Sequence, residues 1–108
     1  MSIEKTNKLK WINIIDTKKL IIGIALVKKS FVAQLHTHKK PENYYFLYGS
    51  AKMALGNDIL MINSPKKIKI PSNIPHAMTP ITSFVILVYT FYKGPFKDIK
   101  YTYLQSTL

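Results

Sequence analysis

Apolar and polar residues alternate along most of the chain with a period of two, which is typical of β-strands that bury one face. The clearest case is Lys66–Ile70, where isoleucines alternate with lysines. Two runs, Leu20–Val27 and Ser83–Tyr92, are apolar at nearly every position, which indicates strands covered on both faces. The other predicted strands are Leu9–Ile15, Phe31–His38, Glu42–Tyr48, Ala51–Leu55, Asp58–Ile62, a short strand from His76 that Pro80 interrupts, and a last strand or edge segment at Phe96–Tyr103.

Turn-forming residues separate these runs. Gly56-Asn57 stands between two alternating segments and predicts a two-residue hairpin. No stretch has a helical period, so the pattern predicts an all-β sandwich or barrel. The length of 108 residues fits one domain, which we place at residues 9–104. Residues 1–8 are expected to be flexible, and residues 105–108 form a polar tail.

Residues that can bind a metal ion gather around one predicted turn. His36 and His38 are two residues apart, so in a strand they share a face. Pro41 predicts a turn, after which Glu42 opens the next strand and can swing back toward both imidazoles. Neutral imidazoles and a carboxylate suit a divalent ion such as Fe, Mn, Ni, Co or Zn. The third histidine of the chain, His76, follows Pro71-Ser72-Asn73-Ile74-Pro75.

Two segments together resemble the signatures of the cupins. Residues 36–49 match the first signature, H-x-H-x3-E-x6-G, at every position, and residues 71–76 are similar to the second, P-x-G-x2-H. The resemblance implies a double-stranded β-helix, which is a small jelly-roll barrel, with one divalent ion bound by His36, His38, Glu42 and His76. Asn73 stands where the second signature has glycine, and asparagine tolerates a left-handed backbone better than most residues. The other departures are Ser30 and Pro65 at the opening glycines and Pro80 at a common asparagine.

A closer likeness concerns the small cupin dimethylsulfoniopropionate lyases, which are similar to this chain around Tyr44 and in the tail that ends at Tyr101. In those enzymes a tyrosine just after the glutamate ligand and one in the tail serve a β-elimination, so the resemblance implies catalytic roles for Tyr44 and Tyr101. Tyr44 can equally be a core aromatic. Gln34 shares the ligand face and is either a partner of the site or a satisfied core amide. Phe46 and Met53 are expected to form pocket wall.

The charge of +11 invites a nucleic-acid interpretation, but all sixteen basic residues are lysine. Nucleic-acid readers use arginine for bidentate contacts and stacking, so the composition disfavours this partner. Lysine pairs at strand ends are typical solvated edge residues. Lys39 and Lys40 are either one more such pair or cations at the rim of the barrel that favour an anionic substrate.

The remaining composition limits the function further. The chain has no cysteine, which excludes disulfides and thiolate chemistry. It has no apolar run long enough to span a membrane and no signal-peptide pattern, so we expect a cytoplasmic protein. We predict a metal-dependent enzyme of lyase or isomerase type that acts on a small polar substrate. A non-catalytic binding or sensor protein and an oxygenase remain open. We expect a homodimer through edge strands or apolar outer faces, with Leu20–Val27 and Ser83–Tyr92 as candidates.

Overall fold

A computed structural model of the chain describes residues 3–5, 8–31 and 33–107. Within these ranges the chain forms β-strands, a single 3-10 turn at Phe96–Asp98 and no α-helix, so the all-β prediction is confirmed. No helix of the described part is long and apolar enough to cross a membrane. The strands are β1 (Ile3–Lys5), β2 (Leu9–Asp16), β3 (Ile21–Lys28), β4 (Gln34–Thr37), β5 (Glu42–Tyr48), β6 (Ser50–Leu55), β7 (Asp58–Asn63), β8 (Lys66–Ile70), β9 (His76–Pro80), β10 (Phe84–Phe91) and β11 (Thr102–Thr107).

The described strands pair as a larger and a smaller antiparallel sheet. The larger sheet has the order β1-β2-β3-β10-β5-β8, and the smaller has the order β11-β4-β9-β6-β7. Strands far apart in the sequence are neighbours in both sheets, which is the connectivity of a jelly roll. The inward-facing side chains of the two sheets form the core, in which Phe46, Met53, Ile70, Val85 and Phe91 are almost completely buried.

Two predicted strands differ from those observed. The predicted strand Phe31–His38 is shorter in the structure, where β4 covers only Gln34–Thr37. The Phe31 N–H donates to the Lys28 carbonyl in a turn, at 3.0 Å, and therefore is not available to a sheet neighbour.

The predicted last strand was wrong in its first half. Pro95 has no N–H to give to a ladder. The next N–H, that of Phe96, donates to Asp16 Oδ1 at 2.7 Å, and Ile99 N–H donates to the Phe96 carbonyl. The Ile99 bond and a similar bond from Asp98 N–H to the Pro95 carbonyl make a 3-10 turn, and β11 begins only at Thr102.

The chain ends carry strands that alternation did not reveal. β1 lies in the segment predicted to be flexible, and it pairs with β2. Residues 1, 2, 6 and 7 of that segment lie outside the described residues, so its flexibility stays a prediction. β11 extends to Thr107 and so includes most of the predicted polar tail.

The two most apolar runs are central strands of the larger sheet. β3 lies between β2 and β10, and β10 lies between β3 and β5, so neither strand offers an open edge. Their inward residues are buried in the core, while the outward residues form an apolar row across the sheet. That row consists of Ile12, Ile24, Val88 and Tyr45, which are successive Cα partners and are all half-buried. Only this outer face of the two strands is available to a partner.

Candidate metal centre

The register of the strands brings the predicted ligands together from both sheets. In the smaller sheet His36 on β4 is the Cα partner of His76 on β9. His38 follows directly after β4. Glu42 is the first residue of β5 in the larger sheet, so its carboxylate reaches the histidines from the opposite side of the barrel. His38, His76 and Glu42 are buried, and His36 is half-buried.

Each imidazole is oriented by a backbone carbonyl. The Nδ1 atom of His36 lies 3.0 Å from the Gln34 carbonyl oxygen, that of His38 lies 2.7 Å from the Lys40 oxygen, and that of His76 lies 2.8 Å from the Ile74 oxygen. Since a carbonyl oxygen only accepts, Nδ1 carries the proton in all three rings. This leaves each Nε2 as the nitrogen that can bind a metal, which is the usual way in which proteins orient histidine ligands.

The three histidines converge on one point. Each offers a ring nitrogen that lies within 4.8 Å of the other two. Glu42 Oε1 lies 3.0 Å from His38 Nε2 and 3.9 Å from His76 Nε2. Because His38 Nδ1 already donates to a carbonyl, one proton must be shared between His38 Nε2 and Glu42 Oε1. A metal ion that bound both groups would release that proton.

Burial keeps His36 and His76 neutral. Loss of hydration, together with the neighbouring His36, lowers the pKa of His76 to about 3, although the Ile74 carbonyl opposes the shift. Burial also lowers the pKa of His36. The pKa of Glu42 is raised by burial, an effect that its hydrogen bond with His38 opposes. At neutral pH His36 and His76 are therefore in the form that binds metals.

The donor set fits a divalent transition metal. His76 Nε2 is buried and has no hydrogen-bond partner among the described residues. A buried polar atom without a partner is costly, and a metal ion would satisfy it. Three imidazole nitrogens and one carboxylate oxygen suit Fe, Mn, Ni, Co or Zn and do not select among them.

The loop before His76 has the shape expected from its asparagine. Asn73 has φ of 60°, in the left-handed region, as its position in place of a signature glycine predicted. Its N–H donates to the His38 carbonyl at 2.8 Å. The two signature segments are thus joined by a backbone hydrogen bond next to the site.

Tyr101 and Tyr44 lie beside the histidines. The Tyr101 ring centroid is 5.7 Å from that of His36 and 5.4 Å from that of His38, while Tyr44 is 6.5 Å from His76. Burial raises the pKa of both phenols, and the nearby Glu42 raises each further. Without a bound cation both tyrosines are therefore neutral proton donors at physiological pH.

A cavity of about 540 Å³ opens from the candidate metal centre into the barrel. His36, Glu42, Tyr44 and Tyr101 line one part of it. Gln34 and Tyr103 line it as well and are exposed, so the mouth lies at this side of the barrel. The Gln34 amide donates to the Leu104 carbonyl at 2.6 Å, and Gln34 is therefore a mouth residue rather than a core amide.

Phe46 and Met53 differ from the predicted pocket wall. Both are buried in the core and neither lines the cavity. Phe46 packs edge-to-face on Tyr44, with ring centroids 5.9 Å apart, and it is Tyr44 that reaches the cavity. Alternation assigns a residue to the inner face, but it does not show how deep in the barrel that residue lies.

The lysine pair is also absent from the cavity lining. Lys39 is exposed, and the Lys40 ammonium group donates to the Gly94 carbonyl at 3.4 Å. Neither lysine borders the cavity, which favours a solvated pair, and a position of the pair at the rim of the barrel stays a prediction.

Sequence reasoning missed an arrangement on the larger sheet that shapes the cavity. The Tyr89 ring lines the cavity and crosses over Gly23 on the adjacent strand, and its hydroxyl donates to Asn13 Oδ1 at 2.6 Å. A glycine inside an apolar strand is a known sign of such a close approach. Gly23 was therefore the sequence signal for a close approach at this point of the strand. It does not identify Tyr89 as the residue that packs over it.

We expect Gly23→Ala to destabilise the fold by about 1–3 kcal/mol, as overpacked cores do. A Cβ atom at Gly23 would overlap with Tyr89 Cζ, so the ring would have to leave Asn13. Chemical denaturation measures the effect. In a Tyr89→Ala background the same substitution should cost much less, and equal costs in both backgrounds would contradict the contact.

Comparisons with known proteins give matches of structure only. No protein-family model and no curated protein sequence matches the chain. An RmlC-like cupin from Shewanella frigidimarina NCIMB 400 superposes with a TM-score of 0.80 at 18% identity, over 89% of this chain and 86% of that one. The chain has the cupin fold. Two further structures with the same fold are named enzymes.

One is a mutant form of Bacillus subtilis oxalate decarboxylase OxdC, with a TM-score of 0.85 at 19% identity over 95% of this chain and 30% of that chain. The other is the DMSP lyase DddQ from Ruegeria pomeroyi DSS-3, with a TM-score of 0.78 at 16% identity over 89% of this chain and 51% of that chain. The present chain thus spans about half the length of the lyase and under a third of the decarboxylase. At these identities the likeness concerns the fold, and function depends on the site.

Proposed function

We propose that this cupin is a metal-dependent enzyme of lyase or isomerase type that acts on a small carboxylate-bearing substrate. The observation that carries the proposal is the set of three imidazoles, each fixed through Nδ1 so that the other nitrogen faces a common point. This point borders a cavity that two tyrosines also line. Orientation of ligands before binding is characteristic of functional metal sites rather than of core histidines.

His36, His38, His76 and Glu42 would hold the ion. When bound, a divalent ion in this place would polarise a substrate carboxylate, make the adjacent C–H bond more acidic and add positive charge to the cavity. Glu42 is the one acidic side chain among the described residues that line this cavity. These properties favour a substrate that enters with its carboxylate toward the histidines.

Tyr44 and Tyr101 are proposed to move the proton. Elimination removes a proton from the carbon next to the carboxylate while a leaving group departs, and isomerisation returns that proton to another carbon. Both reactions need a group beside the metal that can hold and release a proton. Since burial keeps both phenols protonated, a tyrosine acts as the base only where a nearby cation favours its phenolate. Proton transfer from carbon should therefore depend on the metal.

Two likenesses support the elimination form over other chemistries. The fold is shared with a DMSP lyase, and the tyrosine positions resemble those of the small cupin lyases. Tyr44 lies next to His76, and Tyr101 lies next to His36 and His38. In the proposed elimination one phenol takes the proton from carbon and the other assists the leaving group.

Hydrogen exchange with solvent tests the proposal without a known substrate. A panel of small carboxylic acids, with and without a leaving group on the second carbon, is incubated in D₂O with the Zn-, Mn-, Ni- or Fe-loaded protein. Deuterium at the carbon next to the carboxylate, or formation of an alkene, is followed by NMR. We expect exchange that disappears in the metal-free protein. Binding without exchange or turnover would support the sensor alternative, and oxygen consumption by the iron form would support the oxygenase.

A homodimer through the outer face of the larger sheet remains part of the proposal. Ile12, Ile24, Val88 and Tyr45 form the apolar row there. Ile24→Lys should raise the dimer dissociation constant about a hundredfold or more, because an unpaired charge would be buried. Ile59→Lys on the exposed strand β7 of the other sheet is the matched control and should not change it. Sedimentation that shows only monomer for the wild type at micromolar concentration would contradict the dimer.

A further inference from the structure

The cavity is larger and more apolar than a two- or three-carbon acid requires. Its volume of about 540 Å³ is in the range of pockets that bind drug-sized molecules. Away from the histidines it is walled by aliphatic and aromatic side chains, which include Trp11, Phe31, Val27, Leu87, Tyr89 and Phe96. Such a wall stabilises an apolar body on the substrate rather than ordered water.

The same cavity offers no cation for a second carboxylate. No lysine lines it among the described residues, although the chain has sixteen, and the chain has no arginine. Lys40, which lies in sequence between the ligands His38 and Glu42, donates its ammonium group to the Gly94 carbonyl. A carboxylate buried without a countercharge is strongly destabilised. The substrate should therefore carry a single carboxylate, which binds at the histidine end of the cavity.

Trp11 marks the other end of the cavity. Its strand, β2, lies three strands from that of Glu42, or about 14 Å at the usual strand spacing. The Trp11 ring lines the cavity, whereas its Nε1 atom is fully buried and out of reach of a molecule in the cavity. The Tyr89 hydroxyl already donates to Asn13. The far end of the cavity therefore offers the substrate a mainly apolar surface.

We propose that the cavity binds a monocarboxylate with an elongated apolar body and an uncharged far end. The carboxylate lies at the histidines, and the body contacts the aromatic wall. The carboxylate end of this arrangement rests on the proposed function. The apolar body and the uncharged far end rest on the lining of the cavity alone, so they are tested separately.

A matched series of acids tests the substrate class by binding alone. The probes are propanoate, 3-(4-carbamoylphenyl)propanoate and 3-(4-carboxyphenyl)propanoate, added to the Zn-loaded protein. Affinity is measured by calorimetry, and emission of Trp11, which is the only tryptophan of the chain, reports contact with the far end. We expect the carbamoyl acid to bind at least about thirtyfold more tightly than propanoate, because it buries an aromatic ring. It should bind at least about tenfold more tightly than the dicarboxylate of the same shape.

A charge introduced into the cavity wall tests the far end directly. Leu9→Lys places a cation at a half-buried position of the cavity wall and should reverse the preference in favour of the dicarboxylate, whereas Leu9→Met should not. The probe series on the wild type needs neither variant to fold.

The outcomes separate this inference from the proposed function. Equal affinity for the carbamoyl acid and the dicarboxylate, or for the carbamoyl acid and propanoate, would overturn the substrate class while metal and carboxylate binding stand. A protein that takes up no zinc, or a His76→Ala variant that binds all three acids as the wild type does, would overturn the proposed function and the carboxylate end together.

Discussion

His76→Ala is expected to abolish stoichiometric metal binding and to remove the rise in Tm that metal produces in the wild type. His76 supplies the buried nitrogen that has no protein partner among the described residues, and its Nδ1 is held by the Ile74 carbonyl. A ligand that binds only the folded state stabilises it by about 4 kcal/mol at a thousandfold excess over Kd, and this gain should vanish. The metal-free Tm falls as well, because the variant leaves a cavity. The measured quantity is therefore the difference in Tm with and without metal.

His36→Ala should behave in the same way, since His36 is paired in register with His76 across β4 and β9. Lys39→Ala is the control, because Lys39 is exposed in the turn between the ligands and should retain full metal content. Elemental analysis of protein purified without chelator gives the stoichiometry. Full metal content in both histidine variants would show that the ion binds elsewhere.

Tyr101→Phe and Tyr44→Phe are each expected to lower kcat for the deuterium exchange or elimination by about 10²–10⁴-fold, the usual range for loss of a general acid or base. Each change removes a hydroxyl and keeps the ring, so metal content and KM should change little. Tyr45→Phe is the matched control, because Tyr45 is the neighbour of Tyr44 on β5 and faces the outside of the sheet. Full turnover in both variants would show that Tyr44 and Tyr101 line the cavity without taking part in proton transfer.

The sequence alone predicted the ligand geometry because that geometry is mostly local. His36 and His38 share a face through the strand period, and Glu42 follows after a turn that Pro41 enforces. The Asn73 backbone was predictable for the same reason, since φ of 60° depends on the residue type at that position. The position of His76 came only from the resemblance to a second signature, because pairing between β4 and β9 is a long-range contact.

The cavity could not be predicted in the same way. Depth in the barrel depends on sheet register and twist, which alternation does not encode, so Phe46 and Met53 were assigned to a wall that they do not reach. The Lys40 contact with Gly94 and the turn at Phe96 both involve partners more than fifty residues away. Trp11 was recognised as a strand residue, but only the order β2-β3-β10-β5 places its ring in the cavity that Glu42 lines.

X-ray absorption of the zinc-loaded protein tests most directly that His36, His38, His76 and Glu42 bind one ion. We predict a first shell of nitrogen and oxygen at about 2.0–2.2 Å with the outer-shell scattering of three imidazoles, and loss of one imidazole in His76→Ala. A shell of oxygen atoms without imidazole scattering, unchanged in the variant, would contradict the assignment of the metal centre.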